Sequence, residues 1–425
     1  MNHTIKIIYN RLPNSIKELQ NRIRFKDRLL LLGKSFREKK ALRRIQKKVR
    51  NGEQINVVFF AMSVAFWKYD DVFKLMQTDK KYNPCILLCL RPQDPLEIQQ
   101  MHRDKMLAYF QEKGFPCISK IDEIDPDFLF YAQPYKNSVP EELRAYNFLD
   151  KLICYVPYAF FISNYRWAYD AQVHNLAWKL FYPSTLHLQN AKEIAFNKGK
   201  NVEVVGYPLA DKFLSPAAND PWKIKDRHFK RIIWGAHHSV LDDDICNPST
   251  FLKNAKPMLE LARKSKDCQF AFKPHPHLKE HLYKHPDWGK VKTDAYFDAW
   301  NIAENTFRID GDYVDLFKTS DALIHDCGSF TVEYLYVNKP IIYIGNQRED
   351  ILCHFGKRAM EGNYTLKDTS IENFIHNIVV ANGMPPAIND IKEPIRRAIL
   401  KNDLTPPNGK TFAQNIMDFL ENACG

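Results

Sequence analysis

The sequence predicts an α/β protein made of two doubly wound halves, each a parallel sheet covered by helices. Three observations carry this expectation. Short apolar runs of strand length alternate with helical patterns, as in consecutive βαβ units. The 425 residues are enough for two domains with separate cores. A stretch bearing Pro216, Asn219, Asp220 and Pro221 (211–226) separates two such series and reads as a linker. A hydrophobic fraction of 45% and an aromatic fraction of 13% are those of a globular chain, so no segment is assigned to disorder.

The first 50 residues stand apart. They hold 16 Lys and Arg against Glu18, Asp27 and Glu38, a net +13, so the other 375 residues are near neutral at −2. Ile5, Ile7, Ile8, Leu12, Ile16, Leu19, Ile23 and Leu29 to Leu32 recur among these cations at roughly helical spacing. The pattern suits an amphipathic helix on an anionic membrane surface. A solvated helical face packed on the body has the same composition. A nucleic-acid arm fits less well, because aromatics are few here and the body is slightly acidic, so no nucleic-acid partner is expected. No apolar run reaches the about 18 residues of a membrane span. Met1-Asn2-His3-Thr4 lacks a signal-peptide pattern. The nine cysteines show no paired spacing, and Cys85 and Cys89 read as core residues, which points to a reducing, cytoplasmic setting.

In the first half, strands are expected at 55–60, 83–90, 127–131, 152–156 and 202–205, with helices at 97–113 and 168–181. Gly114 suits the C′ position of the first of these helices. In the second half, strands are expected at 231–234, 269–273, 322–324 and 341–344. Helices are expected at 250–264, 313–319, 330–337 and 412–424. Two doubly wound halves, a linker and a final helix describe the GT-B architecture of glycosyltransferases. In open α/β sheets, ligands bind beyond the carboxyl ends of the strands.

Three polar turns in the second half occupy such positions. They are Gly235-Ala236-His237-His238-Ser239, Pro274-His275-Pro276-His277 and Asp326-Cys327-Gly328-Ser329. A turn of the last kind, between a strand and a helix, offers backbone N–H groups to an anion, and phosphate is the natural ligand. A purely structural strand-to-helix turn has the same composition. Asp242-Asp243-Asp244 does not form a metal cluster, since three consecutive acids share no face of a helix or strand, and no metal or cofactor is expected.

The blocks Phe272-Lys273-Pro274-His275-Pro276, Asp312 to Phe317, Ser320 to Asp326, Gly328-Ser329 to Glu333, and Lys339-Pro340-Ile341-Ile342-Tyr343 follow one another in order. Together with Gly206-Tyr207-Pro208, they resemble the CDP-glycerol glycerophosphotransferase family, which builds teichoic-acid and capsule polymers. The resemblance is strong over roughly residues 200 to 350. It implies a GT-B enzyme at the cytoplasmic face of the bacterial membrane, peripherally bound. Such an enzyme moves a glycerol-phosphate unit from a CDP-linked donor to a hydroxyl of a polysaccharide or lipid-linked acceptor and releases CMP. The sequence thus divides into 1–50, a basic segment; 51–210, a first domain; 211–226, a linker; 227–400, a second domain; and 401–425, a tail helix, and the resemblance implies that the first domain is acceptor-side and the second binds the nucleotide donor.

The residues suit that chemistry. Breaking a pyrophosphate builds charge on the leaving nucleotide, which must be stabilised. His275 is expected to hydrogen-bond a phosphate oxygen, as a cation if the pyrophosphate raises its pKa. Ser329 and the N–H groups from Gly328 through Phe330 would cradle the other phosphate, and Lys273 would add a point charge. Glu333 is placed for ribose hydroxyls, and His237 and His238 face the same crevice. Asp326 is either a cap or a direct contact. One departure concerns the first half. Better-known polymerases carry a base histidine in a Trp-His-Gly-Thr turn, whereas the corresponding strand end here reads Tyr155-Val156-Pro157-Tyr158-Ala159. His174 is the nearby substitute for the catalytic base. A GT-B sugar transferase using a CMP- or UDP-sugar is the alternative, and a non-catalytic binding protein is the third possibility.

Overall fold

The strand-length apolar runs do become strands, and they sort into two all-parallel sheets. The structure, a computed structural model, describes residues 29–92, 94–135, 138–241, 248–346, 349–380 and 390–425. One compact unit holds the chain up to Ala159, then Asn164–Ala210 and Thr405–Gly425. The other holds Phe160–Ser163 and Asp211–Leu404.

The first unit contains β1 (Ile55–Ala61), β2 (Tyr82–Leu88), β3 (Cys117–Ile118), β4 (Phe128–Tyr131), β5 (Leu152–Tyr155), β6 (Lys179–Tyr182) and β7 (Val202–Val204). Their order is β3-β2-β1-β4-β5-β6-β7, a doubly wound sheet that reverses direction between β1 and β4. The central strands are buried on both faces, and Phe59 and Phe130 stack with centroids 4.6 Å apart. Gly114 takes φ +67° after the helix Leu96–Glu112, the left-handed conformation that ends a helix.

One expectation fails here. Residues 168–181 were expected to form one helix, but the helix covers only Gln172–Leu176. Ala177 then turns extended, and Leu180, Phe181 and Tyr182 lie in β6 between β5 and β7. A strand buried on both faces shows no alternation, so a continuous apolar run does not separate it from a buried helix.

The described part of the basic segment forms the helix Lys34–Arg50 on this unit. Ala41 and Ile45 are buried, and Lys48 Nζ sits 2.7 Å from the buried Asp127 carboxylate. Leu29, Leu32 and Phe36 remain exposed. The recurrent apolar positions Ile5 to Ile23 lie outside the described residues, as do Asp242-Asp243-Asp244. Among the described residues, no helix is long and apolar enough to cross a membrane. The final helix, Phe412–Cys424, opens on a Thr411/Gln414 capping box and packs within this first unit. Phe419 meets Trp178 and Phe181, each at 5.5 Å between centroids, and Asn415 Nδ2 donates to the Val205 carbonyl at 3.1 Å.

The second unit contains β8 (Lys230–Ala236), β9 (Cys268–Pro274), β10 (Thr306–Arg308), β11 (Ala322–His325), β12 (Ile341–Tyr343) and β13 (Tyr364–Thr365), ordered β10-β9-β8-β11-β12-β13. Its reversal point falls between β8 and β11. Trp234, Phe251, Phe272 and Trp300 fill the core beside them, with Trp234 stacked 4.9 Å from Phe272 and Phe272 stacked 5.1 Å from Trp300. The proline-bearing stretch around 211–226 is tied into this unit. Trp222 is buried, and Asp220 accepts both Arg231 guanidinium nitrogens, at 3.1 and 2.9 Å.

Candidate functional site

The reversal point of the second sheet is where the three polar turns meet. Parallel register sets Gly235 opposite both Lys273 and His325, so the chain beyond each strand emerges at one level. Backbone hydrogen bonds lace the three ends together. The His275 N–H donates to the Ala236 carbonyl at 2.8 Å, and the Asp326 N–H donates to the Gly235 carbonyl at 3.2 Å. Gly235 has a steric reason to be glycine: a Cβ there would come within 2.9 Å of the Phe330 ring. Phe330 therefore lies over the end of β8, with its ring 5.1 Å from that of Tyr313 and 4.9 Å from that of Phe317. Its ring is positioned by this packing.

Asp326 is a strut. Its carboxylate is almost wholly buried and accepts the His237 N–H at 2.6 Å, the Thr250 N–H at 2.7 Å and the Thr250 hydroxyl at 3.2 Å. It thus ties the turn after β8 to the start of the helix Phe251–Lys264. A direct ligand contact, one of the two roles expected for it, is not open to a side chain so enclosed. Burial pushes its carboxyl up to about 6, against the pull of these hydrogen bonds.

Five imidazoles gather at the ends of β8 and β9. Centroids lie 4.2 Å apart for His237 and His238, 4.2 Å for His238 and His275, 5.0 Å for His238 and His281, and 5.6 Å for His275 and His277. His277 and His281 lie on one face of a helical turn, a spacing of four that the sequence displays and that the expected site omitted. All five rings are half-buried. Backbone N–H groups favour one tautomer in two of them: His237 Nδ1 accepts the Ser239 N–H at 3.2 Å and lies 2.9 Å from the Ser239 hydroxyl, and His275 Nδ1 accepts the His277 N–H at 3.2 Å. Each then carries its proton on Nε2 and offers a neutral donor. Burial holds the His237 imidazolium down to about 4, and burial with the neighbouring rings holds His238 down to about 2. His275 is likewise driven well below its ordinary value by burial, then by His238 and His237. With no ligand bound, His275 is therefore neutral at pH 7, and a donor contact does not need it as a cation.

Lys273 and Glu333 flank this group. Lys273 is nearly buried, with Nζ 5.8 Å from the centre of the Tyr313 ring. The Tyr313 hydroxyl donates to Glu333 Oε2 at 2.7 Å. Glu333 is almost wholly buried, so the ribose contact expected of it is replaced by an internal bond to Tyr313, which the sequence alone did not couple to it. The helix expected over 330–337 is a single α turn, Phe330–Glu333, followed by the 3-10 turn Tyr334–Val337. So short a helix has little macrodipole, and what remains for an anion is the first-turn N–H groups and Ser329. Gly328 has no positive φ, and a Cβ there would meet Ile162 at an ordinary 3.7 Å. Nothing in the fold requires glycine at that position.

In the first unit, the polar-turn pattern is absent from the described strand ends near the reversal. His174 is fully buried, with its ring 5.0 Å edge-on to Tyr155 and Nδ1 accepting the Ala171 N–H at 3.0 Å. Burial lowers it to about 3. An enclosed, neutral histidine reaches no acceptor, and the expectation that it serves as the base is withdrawn. Among the described residues, no group of His, Cys, Asp and Glu has metal-holding geometry.

The fold is that of the GT-B class: two Rossmann-like units, one of which bears polar turns at the reversal point of its sheet. Among solved structures, the UDP-GlcNAc 2-epimerase of Methanocaldococcus jannaschii, in complex with UDP-GlcNAc and UDP, is similar. It has 14% identity and a TM-score of 0.53, over 87% of this chain and 99% of that one. The Neisseria meningitidis UDP-GlcNAc 2-epimerase, bound to UDP-GlcNAc, has 13% identity and a TM-score of 0.51 over 87% and 98%. MnaA of S. aureus, with UDP, has 16% identity and a TM-score of 0.51 over 87% and 96%. At such identities the likeness carries the fold. No protein-family model and no curated protein matches the chain.

Proposed function

We propose that the protein is an enzyme that binds a nucleotide-linked donor at the carboxyl edge of β8, β9 and β11, and that the donor is a nucleotide sugar. The carrying observation is the convergence of His237, His275 and the Gly328-Ser329 turn at the reversal point of one sheet. Further support comes from the fold shared with proteins whose structures contain UDP or UDP-GlcNAc. In sugar transfer, an acceptor hydroxyl attacks the anomeric carbon and the bond to the β-phosphate oxygen breaks, so negative charge gathers on the departing nucleotide. The Nε2–H groups of His237 and His275, the Ser329 hydroxyl and the N–H groups from Gly328 to Phe330 are donors suited to that charge. Lys273 supplies a fixed positive charge beside them. The acceptor is read as a surface polysaccharide or a lipid-linked precursor. The exposed Leu29 and Leu32 just before the basic helix, and Phe36 in its first turn, favour a peripheral position on the inner membrane face.

A second reading, transfer of glycerol phosphate from CDP-glycerol, is favoured by the run of blocks from Phe272 to Tyr343. There the hydroxyl attacks the donor's β-phosphorus and CMP leaves. Product analysis separates the two. A glycosidic bond with release of a nucleotide supports the first reading, and CMP with a phosphodiester replaces it with the second. Binding of donors with no turnover on any acceptor would remove both and leave a non-catalytic binding protein.

A further inference from the structure

The short segment Phe160–Ser163 belongs to the second unit, although the chain on either side of it belongs to the first. It is fastened there as a strap. Ser163 pairs antiparallel with Leu352, and the Cys353 N–H donates to the Ile162 carbonyl at 2.9 Å. The Cys353 thiol donates to the Phe161 carbonyl at 3.5 Å, and the Phe160 ring stacks on that of Phe355 with centroids 5.4 Å apart. Gly356, inside the helix His354–Glu361, makes room for this attachment: a Cβ there would collide with the Ile162 carbonyl. Glycine weakens a helix relative to alanine, and what it admits here is the backbone of the strap.

The strap meets the segment after β11 at two points. Ile162 is 5% exposed, and its Cδ1 and Cγ1 lie 3.7 Å from where a Cβ on Gly328 would stand, so it walls the turn on that side. Further along, the Phe160 ring lies 6.5 Å from that of Tyr336. Between these points the chain makes one α turn, Phe330–Glu333, and one 3-10 turn, Tyr334–Val337, too short to hold a shape of their own. Asp326 and Cys327 are bonded to the end of β8, where the Gly235 carbonyl accepts the Asp326 N–H at 3.2 Å and the Cys327 thiol at 3.7 Å. Gly328 is the next residue, and its backbone has the widest conformational freedom.

We propose that Ile162 is a positioning residue for the donor phosphate: the strap Phe160–Ser163 braces the Gly328-Ser329 turn, so that its N–H groups are already aligned when the phosphate arrives. This role rests on the donor reading above for its ligand, and it adds a residue that touches no donor atom. The physical reason is preorganisation. An N–H group that must be ordered as the ligand binds costs affinity, whereas one held in advance does not.

The test is titration calorimetry of the full chain with UDP-GlcNAc, CMP and CDP-glycerol, well below the melting temperature, with hydrogen exchange of the backbone amides beside it. For whichever probe the wild type binds, Ile162→Ala is expected to weaken affinity about tenfold, and Ile162→Val to stay within about twofold of the wild type. Gly356→Ala displaces the strap by collision with its backbone and should match Ile162→Ala. The double variant should be no weaker than either single one, since both remove the same brace. In Ile162→Ala the amides of residues 328–330 should exchange about tenfold faster, with those of β11 unchanged. A strap that serves the fold alone would lower the melting temperature in these variants and leave the affinity of the folded protein as it was. That result overturns the proposal and leaves the donor reading standing, whereas a wild type that binds none of the probes removes both. If the variants do not fold, exchange in the wild type decides. A bound probe should slow the amides of residues 161–163 together with those of 328–330, and protection of the turn without the strap overturns the proposal.

Discussion

The two sheets are wound alike but end differently. Both run outward from a first strand, reverse, and continue on the other side, β3-β2-β1-β4 in one unit and β10-β9-β8-β11 in the other. At the reversal of the second, the chain leaves its strands as His237-His238, His275 and Gly328-Ser329. At the reversal of the first, it leaves as Met62-Ser63 and Ala132-Gln133, all buried. His174, the first unit's candidate, is fully buried, whereas His237, His238, His275, His277 and His281 of the second unit are only half-buried. A shared strand order around the reversal therefore supplies a place for a ligand, and the residues after the strands set what chemistry is offered there.

That contrast breaks most readily at His275. His275→Gln is expected to lower turnover by about 100-fold with the melting temperature nearly unchanged, since the ring lies at a half-exposed turn. His174→Gln is expected to act in the reverse way, reducing stability with little effect on donor binding. Equal effects of the two on donor affinity would erase the distinction between the units.

Asp326→Ala comes next. It leaves the enclosed N–H groups of His237 and Thr250 without an acceptor and is expected to cost about 2–4 kcal/mol in chemical denaturation. Acidification tests the same logic in both units. His174 titrates near 3 in the folded chain, below its unfolded value, so its contribution is present above pH 6.5 and is lost as pH falls. By linkage, that loss is about 2 kcal/mol at pH 5. Asp326, raised to about 6, has the opposite sign and gains between pH 6 and 4. His237, His238 and His275 add to the loss, so the melting temperature is expected to fall between pH 6.5 and 4.5. A rise over that interval would mean that these histidines are not held neutral in the folded chain.

Smaller effects sharpen the picture. Gly328→Ala is expected to change stability by less than about 0.5 kcal/mol, because its φ is ordinary and the added Cβ would make only ordinary contact with Ile162. A fall of about tenfold in donor affinity would then report a phosphate lying against that backbone. Deleting residues 1–33, which spares the helix Lys34–Arg50 docked on the first unit, is expected to reduce flotation with anionic liposomes. Unchanged flotation would remove the membrane reading.

Much of this was legible in the sequence because the sheets are buried. Ile55–Ala61, Leu152–Tyr155 and Cys268–Pro274 are apolar runs bounded by turn residues, and they could be placed within a residue or two. The same burial hid β6, whose Leu180-Phe181-Tyr182 reads equally as helix. The turns carrying His237, His275 and Gly328 were visible one by one. Their meeting was not, because it depends on strand order, which local pattern does not encode. For the same reason the partners of Asp326 were invisible. Thr250 lies 76 residues away, and only the packing of β8 against β11 brings it close.

The most direct measurement of the central claim is a thermal-shift comparison of wild type and His275→Gln across UDP-sugars, CMP-sugars, CDP-glycerol and CDP-ribitol. A ligand that binds the folded state at 100 times its dissociation constant stabilises it by about 2.7 kcal/mol. At least one UDP- or CMP-sugar should raise the wild-type melting temperature, and His275→Gln should lose most of that shift. No shift with any donor, or the same shift in both proteins, would contradict a donor site at the ends of β8, β9 and β11.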